Sequence, residues 1–359
     1  MGEKKKVLVV DDSALMRRIM CDIINQDERF VVADRAVDGL EALDLLTKKT
    51  YDAVVLDVNM PKMNGIELLK ELQKRKISAR VMMASTDTRE GAKVTLDSLE
   101  LGALDFIHKP DSAADCRGDG FKTQFIDTLD AVTQSKSPVF GKTFVMEEIK
   151  TSKKVVELVA RHTSNIRGNK IVALASSTGG PKALQQVIPR LPANLKAAVL
   201  VVQHMPAGFT QSLAERLNTL SEVEVSEAVE GETVKEGHVY IARGGKHMNA
   251  VTKANRTVIH YTDEPAREGV KPCANYMYES LTSSMYDEIV CVVLTGMGAD
   301  GTKGIANLKA AKKTHVIAQN QETCAVYGMP KSVVTAGLTD QVVPLEQVAQ
   351  EIILNVGVR

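Results

Sequence analysis

The chain has 359 residues with 45 basic and 45 acidic side chains, so its formal net charge is zero and no bulk field draws it to nucleic acid. Hydrophobic residues reach 44% against 4% aromatics and no Trp, the profile of α/β proteins with buried parallel strands, and the length allows two domains with cores of their own. Five scattered cysteines without a Cys-x-x-Cys pair exclude a zinc ribbon or disulfide framework, and no apolar run approaches the roughly 18 residues of a membrane span, so a cytoplasmic chain without membrane insertion is expected.

Strand patterns come first at Val7–Val10, Val31–Ala33, Ala53–Leu56, Val81–Ala84 and Asp105–His108, separated by amphipathic stretches such as SALMRRIMCDII and GLEALDLLTKK. Strands alternating with helices imply a doubly wound parallel sheet, which places ligands at the carboxyl ends of its strands. Asp11 and Asp12 end the first strand, Asp57 ends the third, Ser85 follows the fourth and Lys109 the fifth. Three carboxylates converging on one crevice repel one another unless a hard divalent cation or the lysine sits among them.

The motifs VVDDSALMR (Val9–Arg17), LDVNMPKMNG (Leu56–Gly65), MMAST (Met82–Thr86) and DFIHKP (Asp105–Pro110) resemble, in order, the receiver domain of two-component response regulators, bounded here at residues 4–133. The resemblance implies a flavodoxin-like sheet with Asp57 as phosphoryl acceptor and a histidine kinase as phosphodonor. It further implies Mg²⁺ held by Asp12, Asp57 and the Asn59 carbonyl with Asp11 helping through water, and phosphoryl oxygens held by Ser85 and Lys109. Such roles agree with phosphoryl transfer, which needs positioning and charge neutralisation more than covalent help. Phe106 matches a switch aromatic in receivers, and a buried Phe is otherwise core.

From residue 134 to 168 the pattern dissolves into Ser, Lys, Gly and Pro, a linker with some helical periodicity in FVMEEIKTSKKVVELVA. A second α/β unit, residues 169–357, then shows strands at Ile171–Ala175, Ala198–Gln203, His238–Ala242, Thr257–His260, Ile289–Thr295 and His315–Gln319. Its first strand runs through Ser176, Ser177, Thr178, Gly179 and Gly180 into a helix-like PKALQQVI. A serine on such a turn has backbone N–H groups and a helix dipole beside it, although the same turn also serves as a helix cap or phosphate cradle. His204 follows the second strand and Asp300 sits in the glycine-lined loop after the fifth, so serine, histidine and aspartate can meet at one crevice. A helix-start histidine and a turn aspartate are the plainer readings of those two residues.

Residues 170 to about 353 carry ASSTGGP, QHMPAGFT, GHVYIARGGKHM, VVLTGMGADG and IAQNQETCAVYGMP, and by them the segment resembles the catalytic domain of the chemotaxis protein-glutamate methylesterases, the CheB family, in which a receiver precedes the enzyme. The resemblance implies a Rossmann-like hydrolytic domain with a triad of Ser177, His204 and Asp300, oxyanion support from Met297 and Thr178, and no cofactor for the ester reaction. Its substrates would be methyl-accepting chemoreceptors. Departures from the family pattern are Ala175 for a glycine, Arg243 for a proline, and Lys271, Cys273 and Asn275 for an arginine, a serine and an aspartate, which are expected to line substrate-facing loops. The expected activity is phosphorylation-controlled hydrolysis of glutamate methyl esters; glutamine deamidation by the same triad and a non-catalytic, phosphorylation-gated binding module are the alternatives.

Overall fold

Short Val- and Ile-rich runs closed by polar residues become strands because buried parallel sheets reward β-branched side chains on both faces, and the segments between them bury one stripe each as helices. A computed structural model describes residues 3–86, 89–110, 112, 115–135 and 168–359, in two compact units, Met1–Val145 and Met146–Arg359. Most of the expected linker lies outside the described residues.

The first unit runs β1 (Lys5–Val10), α1 (Ala14–Gln26), β2 (Phe30–Ala36), α2 (Gly39–Lys48), β3 (Ala53–Asp57), α3 (Gly65–Arg75), β4 (Val81–Thr86), α4 (Arg89–Glu100), β5 (Asp105–Lys109) and α5 (Asp119–Gln134). Its strands are all parallel in the order β2-β1-β3-β4-β5, and each expected strand is found. Local chemistry fixes where helices begin: Ser13 caps α1, Asp38 caps α2, and Asn64 with Glu67 forms a capping box on α3. Phe121, Phe125, Leu129 and Val132 of α5 pack into one core with Val7, Val9, Val55 and Ile107, so this unit's core extends well beyond β5.

The second unit comprises β6 (Lys170–Ser176), α6 (Gly180–Val187), β7 (Ala198–Gln203), α7 (Phe209–Leu220), β8 (Glu224–Glu227), β9 (His238–Ile241), β10 (His247–Lys253) and β11 (Arg256–Thr262). It continues with α8 (Ala274–Ser280), β12 (Glu288–Val293), α9 (Thr302–Ala311), β13 (Lys313–Gln319), α10 (Met329–Thr335), β14 (Gln341–Val343) and α11 (Leu345–Val356). Seven parallel strands follow the order β14-β13-β12-β6-β7-β9-β8, which sets β6 between β7 and β12.

One expected strand changes sheets. The Thr257–His260 run does form β11, but it pairs antiparallel with β10 as a separate hairpin, closed by Ala254 and Asn255 at φ of 48° and 60°. Two residues at positive φ make the tight turn whose twist suits a hairpin, and this holds β11 out of the parallel sheet. The sequence reading omitted β10, β8 and β14; the last two are edge strands of four and three residues, too short to show a period.

Tyr278 of α8 is fully buried, with its hydroxyl 3.0 Å from the Val292 carbonyl and 3.4 Å from that of Ala173, so this short helix is tied to β12 and β6. Removing one buried hydrogen bond typically costs about 1 kcal/mol, and more where an acceptor is left without a partner. Tyr278→Phe in the full chain should lower the urea midpoint of the second unit's transition by the equivalent of about 1–2 kcal/mol; an unchanged midpoint would show that the hydroxyl contributes nothing net.

Candidate functional site

In the second unit, the register of the central strands decides which residues meet. Ser176 pairs with Gln203 across β6 and β7; the His204 amide then donates to Ser176 O at 3.1 Å, and the Ser177 amide donates to Thr295 O at 3.0 Å. Chain segments leaving three adjacent strands are thereby held level at one edge. Gly179 takes φ 74°, a conformation that costs other residues strain, and a Cβ on Gly180 would lie 2.0 Å from Gln203 Oε1, so the turn after Ser177 needs both glycines.

Ser177 is half-buried. Across the edge, His204 Nε2 lies 2.8 Å from Asp300 Oδ2, with side-chain exposures of 9% and 3%, so this pair is nearly out of water. An ionised carboxylate can only accept, so Nε2 carries a proton and its N–H is directed at Asp300. Among the described residues, the backbone N–H groups of Thr178 and Met297 donate to no other group. Thr178 O receives the Thr295 hydroxyl at 3.0 Å, while Gly296 N donates to Val326 O and Met329 N to Gly296 O, which packs the Met297 loop against residues 326–329.

Asp300 is gripped from several directions. Its Oδ1 accepts from Cys273 Sγ (3.0 Å), Asn275 N (3.0 Å) and Gly301 N (2.8 Å), and its Oδ2 accepts from Ala274 N (2.6 Å) as well as His204. Burial pushes this carboxyl pKa up, but the hydrogen bonds and charge of His204, with the donors from Cys273 and Ala274, outweigh it and hold it below the ordinary value. The Cys273 thiol is pushed up to about 12 by burial and by the Asp300 charge, so it stays protonated and donates.

These contacts correct one expectation. Cys273 and Asn275 face no substrate: both are fully buried, Cys273 on Asp300 and Asn275 with its Oδ1 accepting from Gly301 N (3.2 Å) and Gly304 N (2.6 Å) at the start of α9. Lys271 and Arg243 keep some exposure, Lys271 beside Asp263 at 3.7 Å and Arg243 bonded to Glu227 at 3.1 Å. Ala175 lies inside β6, outside the positive-φ region, and so replaces a glycine without strain.

Gln203, which sequence reasoning missed, ties the serine turn to the histidine strand. It is 1% exposed, accepts from Ser176 Oγ at 2.7 Å, and donates through Nε2 to the Ser177 and His204 carbonyls at 3.0 and 3.2 Å. Its signal was a polar residue ending the apolar run AVLVV.

In the first unit the residues at the strand ends also converge. Lys109 Nζ bridges Asp57 Oδ1 at 2.5 Å and Asp11 Oδ2 at 3.1 Å, and all three side chains are buried. Oxygens of Asp11, Asp12 and Asp57 lie within 4.8 Å of one another, an all-oxygen carboxylate set that suits a hard divalent cation. Asp12 and Asn59 are exposed, whereas Ser85 on β4 and Phe106 on β5 are buried. Burial raises the Asp57 pKa to about 6, against the lowering pull of Lys109 and with a further push from Asp11.

Comparison with known proteins bears on both units. Residues 172–352 match the family described as CheB methylesterase, and residues 7–117 match the response regulator receiver domain. The chain is similar to a protein-glutamate methylesterase/protein-glutamine glutaminase of Syntrophomonas wolfei, with 42% identity over 98% of this chain and 99% of that one. A protein of the same name from Bacillus subtilis is 40% identical over 97% of each chain. Among solved structures, the CheB methylesterase catalytic domain of Thermotoga maritima aligns with a TM-score of 0.50 and 42% identity, covering 52% of this chain and 98% of that one.

The raised Asp57 pKa makes a stability prediction for the metal-free protein. A folded-state value near 6 against an ordinary 3.8 means the native state binds the proton more tightly, so this group's contribution is complete below pH 4 and is lost as pH rises past 6. Asp57→Asn removes the loss, and its stability advantage over wild type in EDTA should grow by up to about 3 kcal/mol between pH 4 and pH 7.5. Urea titrations at several pH values read it directly; a difference independent of pH would mean that Asp57 is not strained by burial.

Proposed function

The chain belongs to the CheB methylesterase family, and from that premise we propose that Ser177, His204 and Asp300 are the triad of a phosphorylation-controlled enzyme that demethylates chemoreceptor glutamates. The enzyme is a protein-glutamate methylesterase with a response regulator receiver. The single observation that carries the triad is the 2.8 Å contact of His204 Nε2 with Asp300, held level with Ser177 on adjacent strand ends.

Ser177 Oγ attacks the ester carbonyl carbon as its proton passes to His204 Nδ1, and the imidazolium that forms is stabilised by Asp300 through Nε2–H. The oxyanion takes hydrogen bonds from the Thr178 and Met297 amides, two donors without other demands on them. Collapse breaks the bond to the methoxy oxygen, which leaves as methanol with the proton from Nδ1. Water then repeats the sequence on the acyl-enzyme and leaves a free glutamate. Deamidation of receptor glutamine follows the same course with ammonia as the leaving group, a reading favoured by the glutaminase activity in the relatives' names.

Control belongs to the receiver, residues 4–133, joined through 134–168 to the enzyme at 169–357. Asp57 accepts the phosphoryl group from a histidine kinase, and Ser85 and Lys109 hold its oxygens. Asp12, Asp57 and the Asn59 carbonyl, with Asp11 through water, would hold Mg²⁺, which when bound neutralises charge on the transferring group. Chemoreceptor tails and kinase put the protein in the cytoplasm; no helix among the described residues is long and apolar enough to cross a membrane. The unphosphorylated receiver restrains the esterase, and phosphorylation relieves it. A shift of a few kcal/mol between restrained and active forms changes activity tenfold or more.

Methanol release from methylated receptor tests the triad. Ser177→Ala should lose roughly 10⁶-fold in rate with its fold intact, and Asp300→Asn should lose less than His204→Ala. Near-normal activity in Ser177→Ala would remove the assignment.

Restraint and positive activation by the receiver are separated by a second measurement. A fragment beginning at Asn165 should release methanol at least about tenfold faster than the unphosphorylated full chain. A fragment no faster than the resting chain would end the restraint reading.

A further inference from the structure

His247, the first residue of β10, is wholly buried, and both nitrogens of its ring are engaged. Nδ1 lies 3.1 Å from the Cys273 amide and Nε2 lies 3.3 Å from the Pro265 carbonyl. An amide can only donate and a carbonyl can only accept, so the ring is neutral, with its proton on Nε2. Burial favours that state by holding the His247 pKa below the ordinary value, against the Pro265 carbonyl and with the neighbouring Lys271 charge pulling the same way as burial. The ring thus closes the loop from Pro265 to Cys273 at its two ends, and Tyr276 covers it with ring centroids 4.6 Å apart. Where that loop enters α8, Cys273 Sγ and the amides of Ala274 and Asn275 all donate to Asp300.

We propose that His247 is a positioning residue for the hydrolytic reaction, acting through Cys273 to keep the donors of residues 273–275 closed on Asp300 and so to hold His204 in its working tautomer and orientation. This rests on the esterase reading of the triad. His247 touches neither Ser177 nor the reacting ester; through Cys273 it lies two hydrogen bonds from Asp300 and three from His204. Its loss should affect kcat, because a small displacement of an orienting group is felt at the transition state, whereas substrate contacts remain.

The test uses full-length His247→Leu and His247→Asn. Leucine fills the space without an acceptor, whereas the asparagine Oδ1 can take the place of Nδ1 in receiving the Cys273 amide. His247→Leu should lower kcat for methanol release by roughly tenfold to 100-fold with KM within about twofold, and His247→Asn should recover most of the loss. A second readout is independent of activity: the proton NMR resonance of His204 Nε2–H on Asp300, assigned by its absence in His204→Gln, should shift or broaden in His247→Leu and return in His247→Asn. Wild-type kcat with an unmoved resonance in His247→Leu would overturn the proposal, as would a kcat loss in both variants with the resonance unmoved. Absence of methanol release even from the wild type would fault the esterase reading instead, and the resonance would still decide the role of His247.

Discussion

A carboxylate kept ionised and almost wholly out of water needs donors on every side, and the arrangement of the second unit depends on meeting that demand at Asp300. Five donors reach it: the His204 ring, the Cys273 thiol and the amides of Ala274, Asn275 and Gly301. Three of them come from one short stretch far from Asp300 in sequence, so the start of α8 has a single place it can occupy. Tyr278 then fixes the same helix to the sheet. Asp300 is thereby made rigid before any substrate arrives, which is what an orienting group in catalysis requires.

The first unit buries carboxylates by another route, and the difference in chemistry follows. Asp57 and Asp11 share one flexible cation, Lys109, rather than a set of fixed amides. Hydrogen bonds from the protein frame push the Asp300 pKa down, whereas burial beside a second acid lets that of Asp57 rise to about 6. A permanently charged, immobile acid suits the orientation of an imidazole. A crowded acid whose charge is only partly met suits a group that gains from a divalent ion and from covalent modification.

Much of this was legible because α/β sheets display function at strand ends, and strand ends are marked by a change from apolar to polar residues. Ser177, His204, Asp300, Asp57 and Lys109 all follow such a change; the structure joins Lys109 to Asp57 and His204 to Asp300, and sets Ser177 at the neighbouring strand end. Side chains that act through others carry no such mark. Gln203 looks like the end of a strand, and His247 begins a strand whose pairing depends on a two-residue Ala254-Asn255 turn of unremarkable composition. Cys273 and Asn275, departures from the family pattern, read as lining a substrate-facing loop, yet the need to satisfy Asp300 draws them inside. Burial by long-range polar demand has no periodicity to read.

The same demand accounts for how residues 271, 273 and 275 fit around Asp300. A thiol at position 273 donates to Asp300 Oδ1 as a hydroxyl would, more weakly but from a shielded site that keeps it protonated. Asn275 accepts from Gly301 and Gly304, and the Gly301 amide is shared with Asp300 at 2.8 Å. An aspartate there would bring a second negative charge against the first; the amide oxygen keeps both acceptor contacts without that repulsion. Lys271 contributes through its backbone, whose carbonyl receives the Gly245 amide at 3.3 Å, so exchanging its head group leaves the clasp on Asp300 untouched. What the loop must conserve is therefore a pattern of donors and acceptors, and this chain supplies it with different residues.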